Sequence, residues 1–316
     1  NKLLDDISFD KAVSGDGAVK IDSKTITLDL NGHSLSISNS LGHGLAVVNN
    51  ANLSITGTGD LSLNAKFAAL YVTASAFSSG GNINASLESS RTVGIDASYQ
   101  STVTVQKGSI TGASGSIYTI GSNNSVSFNG SIIVNGQPAW ECHGINLSGN
   151  YTGNIVQVNG DINIASGLGA GIYVENGGTV TVGSQQNPAS VTSTGSAGIW
   201  TRQGSTTSDI TVYGDVTGKA RAIDATGDAD IKVFGDVKST STLASVFAVE
   251  GLANSGDTIA IAITGNVEGP NGVKYHGNDG SISVTGNVTA TGSAGDTVGV
   301  YASYGSVTEI EPSLPW

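Results

Sequence analysis

Paired carboxylates are the side chains in this sequence that most readily suggest catalysis. Asp215 and Asp236 each follow a glycine at the end of an alternating apolar segment. If successive repeats stack, the two residues lie on neighbouring turns and about 5 Å apart, a spacing that suits a retaining glycosidase or a bound cation. Asn266 and Asn287 occupy the same place in later repeats. Because Asp and Asn both favour tight corners, a turn role is the stronger interpretation.

The other candidate catalytic residues do not form complete sets. Asp96 and Asp224 fall at equivalent places in their repeats, but five intervening steps would separate them by about 24 Å. His143 follows Glu141 and Cys142, yet the chain has a single cysteine and no second histidine nearby. Neither a metal site nor a thiol–imidazole pair is complete. The 13 basic residues are scattered, so no cluster for a uronate substrate is expected. We therefore predict no catalytic residue, no metal ligand and no cofactor.

A four-residue motif recurs along the chain and must position any site. It consists of a small residue, an apolar one, a variable one and another small or apolar one. Its eleven copies begin 22 to 28 residues apart. They start at Gly44, Ala69, Gly94, Ser116, Gly144, Gly171, Gly198, Ala222, Val246, Gly272 and Gly299. Such regular spacing is typical of a solenoid, in which each repeat packs only against its neighbours.

A second motif alternates with the first. It reads apolar–polar–apolar, then Gly-Asp or Gly-Asn, then another apolar residue. Its clearest copies begin at Val156, Ile210, Ile231, Ile261 and Ile282. Alternation with period two predicts strands with one buried face, and the Gly-Asp or Gly-Asn pair predicts a corner. Each turn should therefore carry two or three short strands, paired in parallel with those of the next turn. The period of about 25 residues disfavours a β-propeller, whose blades are longer.

The two ends of the chain differ from the repeats. We expect residues 1–24 to form an N-terminal cap, 25–305 the β-helix, and 306–316 a linker or truncated edge. The start at Asn1 suggests a piece of a longer protein. The segment Thr25–Ile37 contains the phrase LDLNGH and resembles the first turns of pectin-lyase-like β-helices. This resemblance covers nearly the whole chain at the level of architecture. It implies an all-β fold, a right-handed single-stranded parallel β-helix (solenoid) of about 11 rungs.

Families with this architecture include polysaccharide lyases, polygalacturonases and autotransporter passenger domains. Gly42-His43-Gly44 is similar to a polygalacturonase motif, but the accompanying Asn-Thr-Asp and Arg-Ile-Lys motifs are absent from the sequence. We interpret His43 as a turn histidine. The composition, rich in Gly, Ser, Thr and Asn, most resembles an autotransporter passenger or bacterial surface adhesin.

The variable position of the first motif should point outward, because its apolar neighbours point inward. This predicted column comprises Ala46, Tyr71, Asp96, Tyr118, Asn146, Tyr173, Trp200, Asp224, Ala248, Lys274 and Tyr301. Its aromatic members are the predicted ligand-binding residues, namely Tyr71, Tyr118, Tyr173, Trp200 and Tyr301. Tyr173 and Trp200 lie on adjacent turns and are predicted to stack face to face. The alternative is that these aromatics only cover the sheet and support strand pairing.

The net charge of the chain limits the classes of partner that it is expected to bind. At −12, the chain is not expected to bind nucleic acid, and no apolar run is long enough for membrane insertion. The predicted function is that of a bacterial cell-surface or secreted, extracellular adhesin-type β-helix. It would bind a host glycan or surface protein, or self-associate, without enzymatic activity. The alternative is a polysaccharide lyase or glycoside hydrolase on the same scaffold.

Overall fold

The structure, a computed structural model, is a parallel β-solenoid of about 11 turns. It describes residues 1–15, 17–87, 93–112, 116–135, 142–149, 151–165, 167–202, 204, 206–292, 297–304 and 307–310. Within these ranges every regular element is a strand, so the predicted all-β parallel fold is confirmed. The strands belong to two sheets of 12 and 21 members.

The smaller sheet takes one strand from each turn. Its strands are β2 (Gly17–Asp22), β5 (His43–Val48), β8 (Ala68–Thr73), β10 (Val93–Ser98), β12 (Ile117–Ile120), β14 (Ile145–Leu147), β17 (Ile172–Val174), β20 (Ile199–Thr201), β23 (Ile223–Thr226), β26 (Phe247–Leu252), β29 (Asn271–His276) and β32 (Val300–Ser303). These strands carry the first sequence motif.

The larger sheet carries the second motif and takes two strands from most turns. Its strands are β1 (Ile7–Lys11), β3 (Thr25–Asp29), β4 (Leu35–Asn39), β6 (Asn52–Thr56), β7 (Asp60–Ala65), β9 (Ala76–Leu87), β11 (Thr102–Gly112), β13 (Ser125–Val134), β15 (Ile155–Val158), β16 (Ile162–Ile164), β18 (Gly178–Val182), β19 (Val191–Ser193), β21 (Ser208–Val212), β22 (Val216–Gly218), β24 (Ala229–Val233), β25 (Val237–Ser239), β27 (Thr258–Ile263), β28 (Val267–Gly269), β30 (Asp279–Val284), β31 (Val288–Ala290) and β33 (Val307–Ile310). The two strands of each turn stack on those of the next turn, so the larger sheet consists of two columns of strands. In three turns, a single long strand, β9, β11 or β13, belongs to both columns.

Each strand pairs in parallel with the equivalent strand of the next turn, so like residues stack. Ile172 faces Ile199 in the smaller sheet, and Val180 faces Ile210 in the larger one. The inward side chains form one continuous apolar core of mainly Val, Ile and Leu. Branched side chains pack well on such a pleated surface, and this burial stabilises turns that could not fold singly.

The first 24 residues take part in both sheets. β1 pairs with β4, and β2 pairs with β5, so this stretch supplies the first strand of the smaller sheet and of one of the two strand columns in the larger sheet. The other column of the larger sheet begins with β3, which pairs with β6. Leu4 is 86% exposed there and Phe9 is 41% exposed. At the other end β33 pairs with β30, whereas residues 305–306 and 311–316 lie outside the described part of the chain.

Candidate functional site

One column of side chains, here called the outer ladder, follows the outer face of the smaller sheet. Its members are Lys20, Ala46, Tyr71, Asp96, Tyr118, Asn146, Tyr173, Trp200, Asp224, Glu250, Lys274 and Tyr301. The predicted column is confirmed except at Ala248. Strand pairing places Val249 opposite Ile223, so Glu250 takes the outward position between Asp224 and Lys274. The repeat therefore begins at Ala248, two residues later than predicted.

The aromatic members of the ladder differ widely in exposure. Tyr301 is 46% exposed, Tyr71, Tyr118 and Trp200 are half-buried, and Tyr173 is only 6% exposed. The five aromatic side chains of the outer ladder therefore do not form a uniformly solvent-exposed column.

His43 partly covers the ladder at its N-terminal end. The rings of His43 and Tyr71 are stacked, with centroids 4.3 Å apart and an interplanar angle of 12°. The interpretation of His43 as a turn histidine is wrong, because this residue begins strand β5. Its place in a strand is what brings its ring over the tyrosine.

Three rings and one guanidinium form an aromatic cluster, comprising His143, Tyr173, Trp200 and Arg202. The predicted face-to-face stacking of Tyr173 on Trp200 is wrong. These rings meet edge to face, at 5.2 Å and 71°, while His143 takes the parallel position on Tyr173 at 4.4 Å and 12°. Edge-to-face contact directs a positive ring edge at a negative ring face, which is favourable. The Arg202 guanidinium lies 5.4 Å from the centre of the Trp200 ring, a cation–π contact.

His143 is a structural member of this cluster. Its Nδ1 accepts a hydrogen bond from the backbone N–H of Ala170 at 3.0 Å, and its side chain is buried. Burial lowers the pKa of His143 to about 4, so its ring is neutral near pH 7. Burial also raises the pKa of the adjacent Cys142 thiol. Glu141, the third residue of this predicted group, lies outside the described residues. Trp200 and Arg202 supply the accessible surface of the cluster.

A charged cluster continues the ladder beyond Trp200. It consists of Arg221, Asp224, Glu250 and Lys274. Arg221 contacts both carboxylates: its Nη1 lies 3.1 Å from Asp224 Oδ2, and its Nε contacts Glu250 Oε2. Lys274 Nζ lies 2.7 Å from Glu250 Oε1. Glu250 is only 4% exposed, so two cations enclose a carboxylate that has little access to water.

This part of the sheet brings two basic side chains together, but both are paired with carboxylates, so the expectation that no basic cluster serves a uronate substrate stays a prediction. Arg221 and Lys274 are far apart in sequence but converge on Glu250. The sequence pattern does not predict these ion pairs, because it assigns Ala248 to the outward position that Glu250 occupies in the structure. Burial raises the pKa of Asp224, and the Glu250 charge raises it further against the opposing effect of Arg221.

Asp96 occupies the ladder between Tyr71 and Tyr118. Burial raises the pKa of Asp96 to about 6, although Ser98 Oγ donates a hydrogen bond to its Oδ1 at 2.5 Å. The pKa of each flanking tyrosine is also raised, first by burial and then in part by the Asp96 charge. The ladder therefore contains a carboxyl group that titrates near pH 6.

The carboxylates at the Gly-Asp corners have a different role. Asp215 Oδ1 accepts a hydrogen bond from the backbone N–H of Asp236 at 2.8 Å, and Asp236 Oδ1 accepts one from that of Asn266 at 2.7 Å. Asn266 Oδ1 accepts the next one, from Asn287, at 2.9 Å. Each side chain thereby satisfies a backbone donor of the following turn. The turn interpretation of Asp215 and Asp236 is confirmed.

Replacing Asp236 by alanine should lower the free energy of unfolding by about 1 kcal/mol, because the Asn266 N–H loses its acceptor at an exposed corner. Replacing it by asparagine should cost less, since Asn266 itself serves as this acceptor one turn later. Urea unfolding of both variants measures the difference. An alanine variant as stable as the asparagine variant would show that the corner bonds contribute nothing.

Comparisons with known proteins add no family to this geometry. No protein-family model matches the chain, and no curated protein or solved structure matches it. Within the described ranges, no three or more His, Cys, Asp or Glu side chains are grouped so as to hold a metal ion. The same ranges contain no helix with the length and apolar character needed to span a membrane.

Proposed function

We propose that this chain is a non-enzymatic, adhesin-type β-solenoid of an extracellular bacterial surface protein, similar to an autotransporter passenger of pectin-lyase-like architecture. Its role is to display a binding surface on a stack of paired strands. The expected partner is a host glycan, with a host surface protein or a second copy of the chain as the other partners of the same surface.

The observation that carries the proposal is the junction of the aromatic and charged clusters. Trp200 is half-buried, the Arg202 guanidinium lies over its ring, and its neighbour on the next turn is Asp224, which is paired with Arg221. An aromatic ring packs against the C–H face of a sugar, and neighbouring charged groups exchange hydrogen bonds with its hydroxyls. Tyr173 supports this surface from beneath, because its ring contacts both His143 and Trp200.

Replacing Trp200 by alanine should reduce binding to epithelial cells at least tenfold, roughly the effect of removing a central aromatic anchor. The measurement is retention of the fluorescently labelled chain on cells, before and after their surface glycans are removed enzymatically. Deglycosylation should reduce retention of the original chain and have little effect on the variant.

The matched control is Tyr118→Ala, a half-buried ladder aromatic outside the aromatic cluster. Tyr173 is unsuitable for this test because its buried ring supports the cluster. Equal retention of the Trp200→Ala variant and the original chain, with unchanged far-UV circular dichroism, would contradict the proposal.

A second candidate function is polysaccharide cleavage, favoured by Asp224 and Glu250. They lie on neighbouring turns with backbones about 5 Å apart, and Arg221 contacts both carboxylates, so the two carboxyl groups are close together. A retaining glycosidase needs its two carboxyl groups about 5 Å apart. Their environments also differ, since Glu250 is ion-paired twice and the pKa of Asp224 is raised. A reducing-end assay on acidic and neutral polysaccharides, with and without calcium, tests this candidate. New reducing ends that disappear in an Asp224→Asn variant would favour the enzyme over the adhesin.

A further inference from the structure

We infer that the corner of the larger sheet beside Tyr213 is a second binding site, which takes a neutral saccharide. This site is separate from the outer ladder, and its chemistry does not depend on the function proposed above. It consists of an aromatic platform, Tyr213 and Phe234, and of an amide pocket lined by Asn129, Gln157, Asn159, Ser184 and Asn187.

The platform is a pair of stacked rings on successive turns. The Tyr213 and Phe234 rings are nearly parallel, with centroids 4.8 Å apart and an interplanar angle of 5°. Phe234 is 48% exposed although it is a large apolar residue. The pair lies just before the Gly-Asp corners, where the turn carries both rings to the outside of the coil. Exposed, ordered aromatics of this kind are characteristic of interaction sites.

The column that contains these rings has a gap on one side of Tyr213. Backbone hydrogen bonds link Asn159, Gly183, Tyr213 and Phe234 to the strand ends of their preceding turns, so the four residues occupy equivalent places. Gly183 has a positive φ of 72° and carries no side chain. The turn before Tyr213 therefore contributes no column side chain between the tyrosine and Asn159.

The amide pocket lies at this gap and is a cleft of about 540 Å³. Among the residues that the structure describes, four of the lining side chains are amides and the fifth is a hydroxyl, so these five carry no charge. The Gln157 Nε2 group donates to Asn159 Oδ1 at 3.2 Å, and Ser184 and Asn187 are linked by hydrogen bonds within their turn. These bonds orient the polar groups and leave further donors and acceptors on each amide.

The chemistry of the lining selects the ligand class. Amides and hydroxyls both donate and accept hydrogen bonds, as sugar hydroxyls do, while the ring of Tyr213 offers an apolar face. None of these five lining side chains is a cation that could bind an acidic sugar, and the net charge of the chain, −12, would repel such a sugar. A neutral sugar in the gap would continue the aromatic stack and meet the amides at its edge.

Isothermal titration with cellohexaose and N-acetylchitohexaose, both neutral, and with hexagalacturonate tests this site. At least one neutral hexasaccharide should bind, and Tyr213→Ala should raise its Kd at least about tenfold. Tyr213→Phe keeps the ring and should change Kd less than about twofold. Trp200→Ala, in the outer ladder, should also leave this Kd unchanged, so the two sites succeed or fail independently.

Three outcomes would overturn the inference. These are the absence of binding by both neutral hexasaccharides, a Kd unaffected by Tyr213→Ala, and equally tight binding of hexagalacturonate. Unchanged circular dichroism of Tyr213→Ala verifies folding. If that variant does not fold, Asn187→Asp provides the test instead, because a carboxylate in the pocket removes an amide donor and should weaken neutral-sugar binding at least about threefold. An unchanged Kd in that variant would equally contradict the site.

Discussion

Replacing Glu250 by glutamine should lower the free energy of unfolding by about 2–3 kcal/mol, the usual contribution of hydrogen bonds to a charged group, because the two cations that it contacts are partly exposed. The Glu250 side chain is 5% exposed and contacts Arg221 on one side and Lys274 on the other. Glutamine keeps the shape but removes the charge, so Arg221 and Lys274, whose side chains are 35% and 28% exposed, lose the carboxylate that neutralises them. Chemical unfolding monitored by circular dichroism measures the change.

The chain offers a matched control for this effect. Lys238 and Glu268 form an ion pair at 2.8 Å, but their side chains are 50% and 46% exposed. Glu268→Gln should therefore change stability by less than about 1 kcal/mol, since water solvates both charges when the pair is broken. Equal losses for Glu250→Gln and Glu268→Gln would show that burial of the charged cluster contributes nothing to its strength.

Replacing Asp96 by asparagine should stabilise the protein at pH 7.5 by about 2–3 kcal/mol. The pKa of Asp96 is about 6 in the folded chain, above its ordinary value of 3.8, and each pKa unit corresponds to about 1.4 kcal/mol. Because the folded pKa is raised, the favourable contribution of the neutral carboxyl is complete below about pH 4. It is lost as the pH rises through 6, where the group must ionise between two tyrosines. Asparagine is uncharged at every pH and avoids this cost.

The pH dependence of the unfolding free energy distinguishes the loss of the Asp96 charge from a change in side-chain packing. The difference in unfolding free energy between Asp96→Asn and the original chain should be near zero at pH 3.5 and should grow between about pH 4 and 6. His143 acts in the opposite direction, because its pKa is lowered and its contribution is lost as the pH falls from 6.5 towards 4. Subtracting the two curves removes the His143 term, which both proteins share. A difference independent of pH would mean that Asp96 titrates normally.

The solenoid was predictable because its pattern is repeated many times. Period-two alternation placed Val156, Val158 and Ile162 inside, and each has negligible exposure. Turn chemistry alone predicts the Gly-Asp corners, and the hydrogen bonds of Asp215 and Asp236 confirm them. Local rules suffice here, since each turn contacts only its neighbours.

The candidate site was less predictable, because it depends on register and on side-chain packing. A two-residue error at Ala248 was enough to conceal the ion pairs of Glu250. Alternation predicts that Tyr173 points outward, but it does not show that His143, from the preceding turn, covers its ring. The Tyr213–Phe234 stack is predictable from the sequence, because each ring lies directly before a Gly-Asp corner on successive turns.

The surface around Trp200 is the feature on which the proposed function depends most. Binding of the labelled chain and of its Trp200→Ala variant to a panel of immobilised host glycans tests it directly. We expect selective binding of the original chain to at least one glycan and a loss of at least about tenfold in the variant, with the ligand recovered intact. Binding that is equal for the two proteins across the panel, or ligand recovered in cleaved form, would contradict a glycan-binding adhesin.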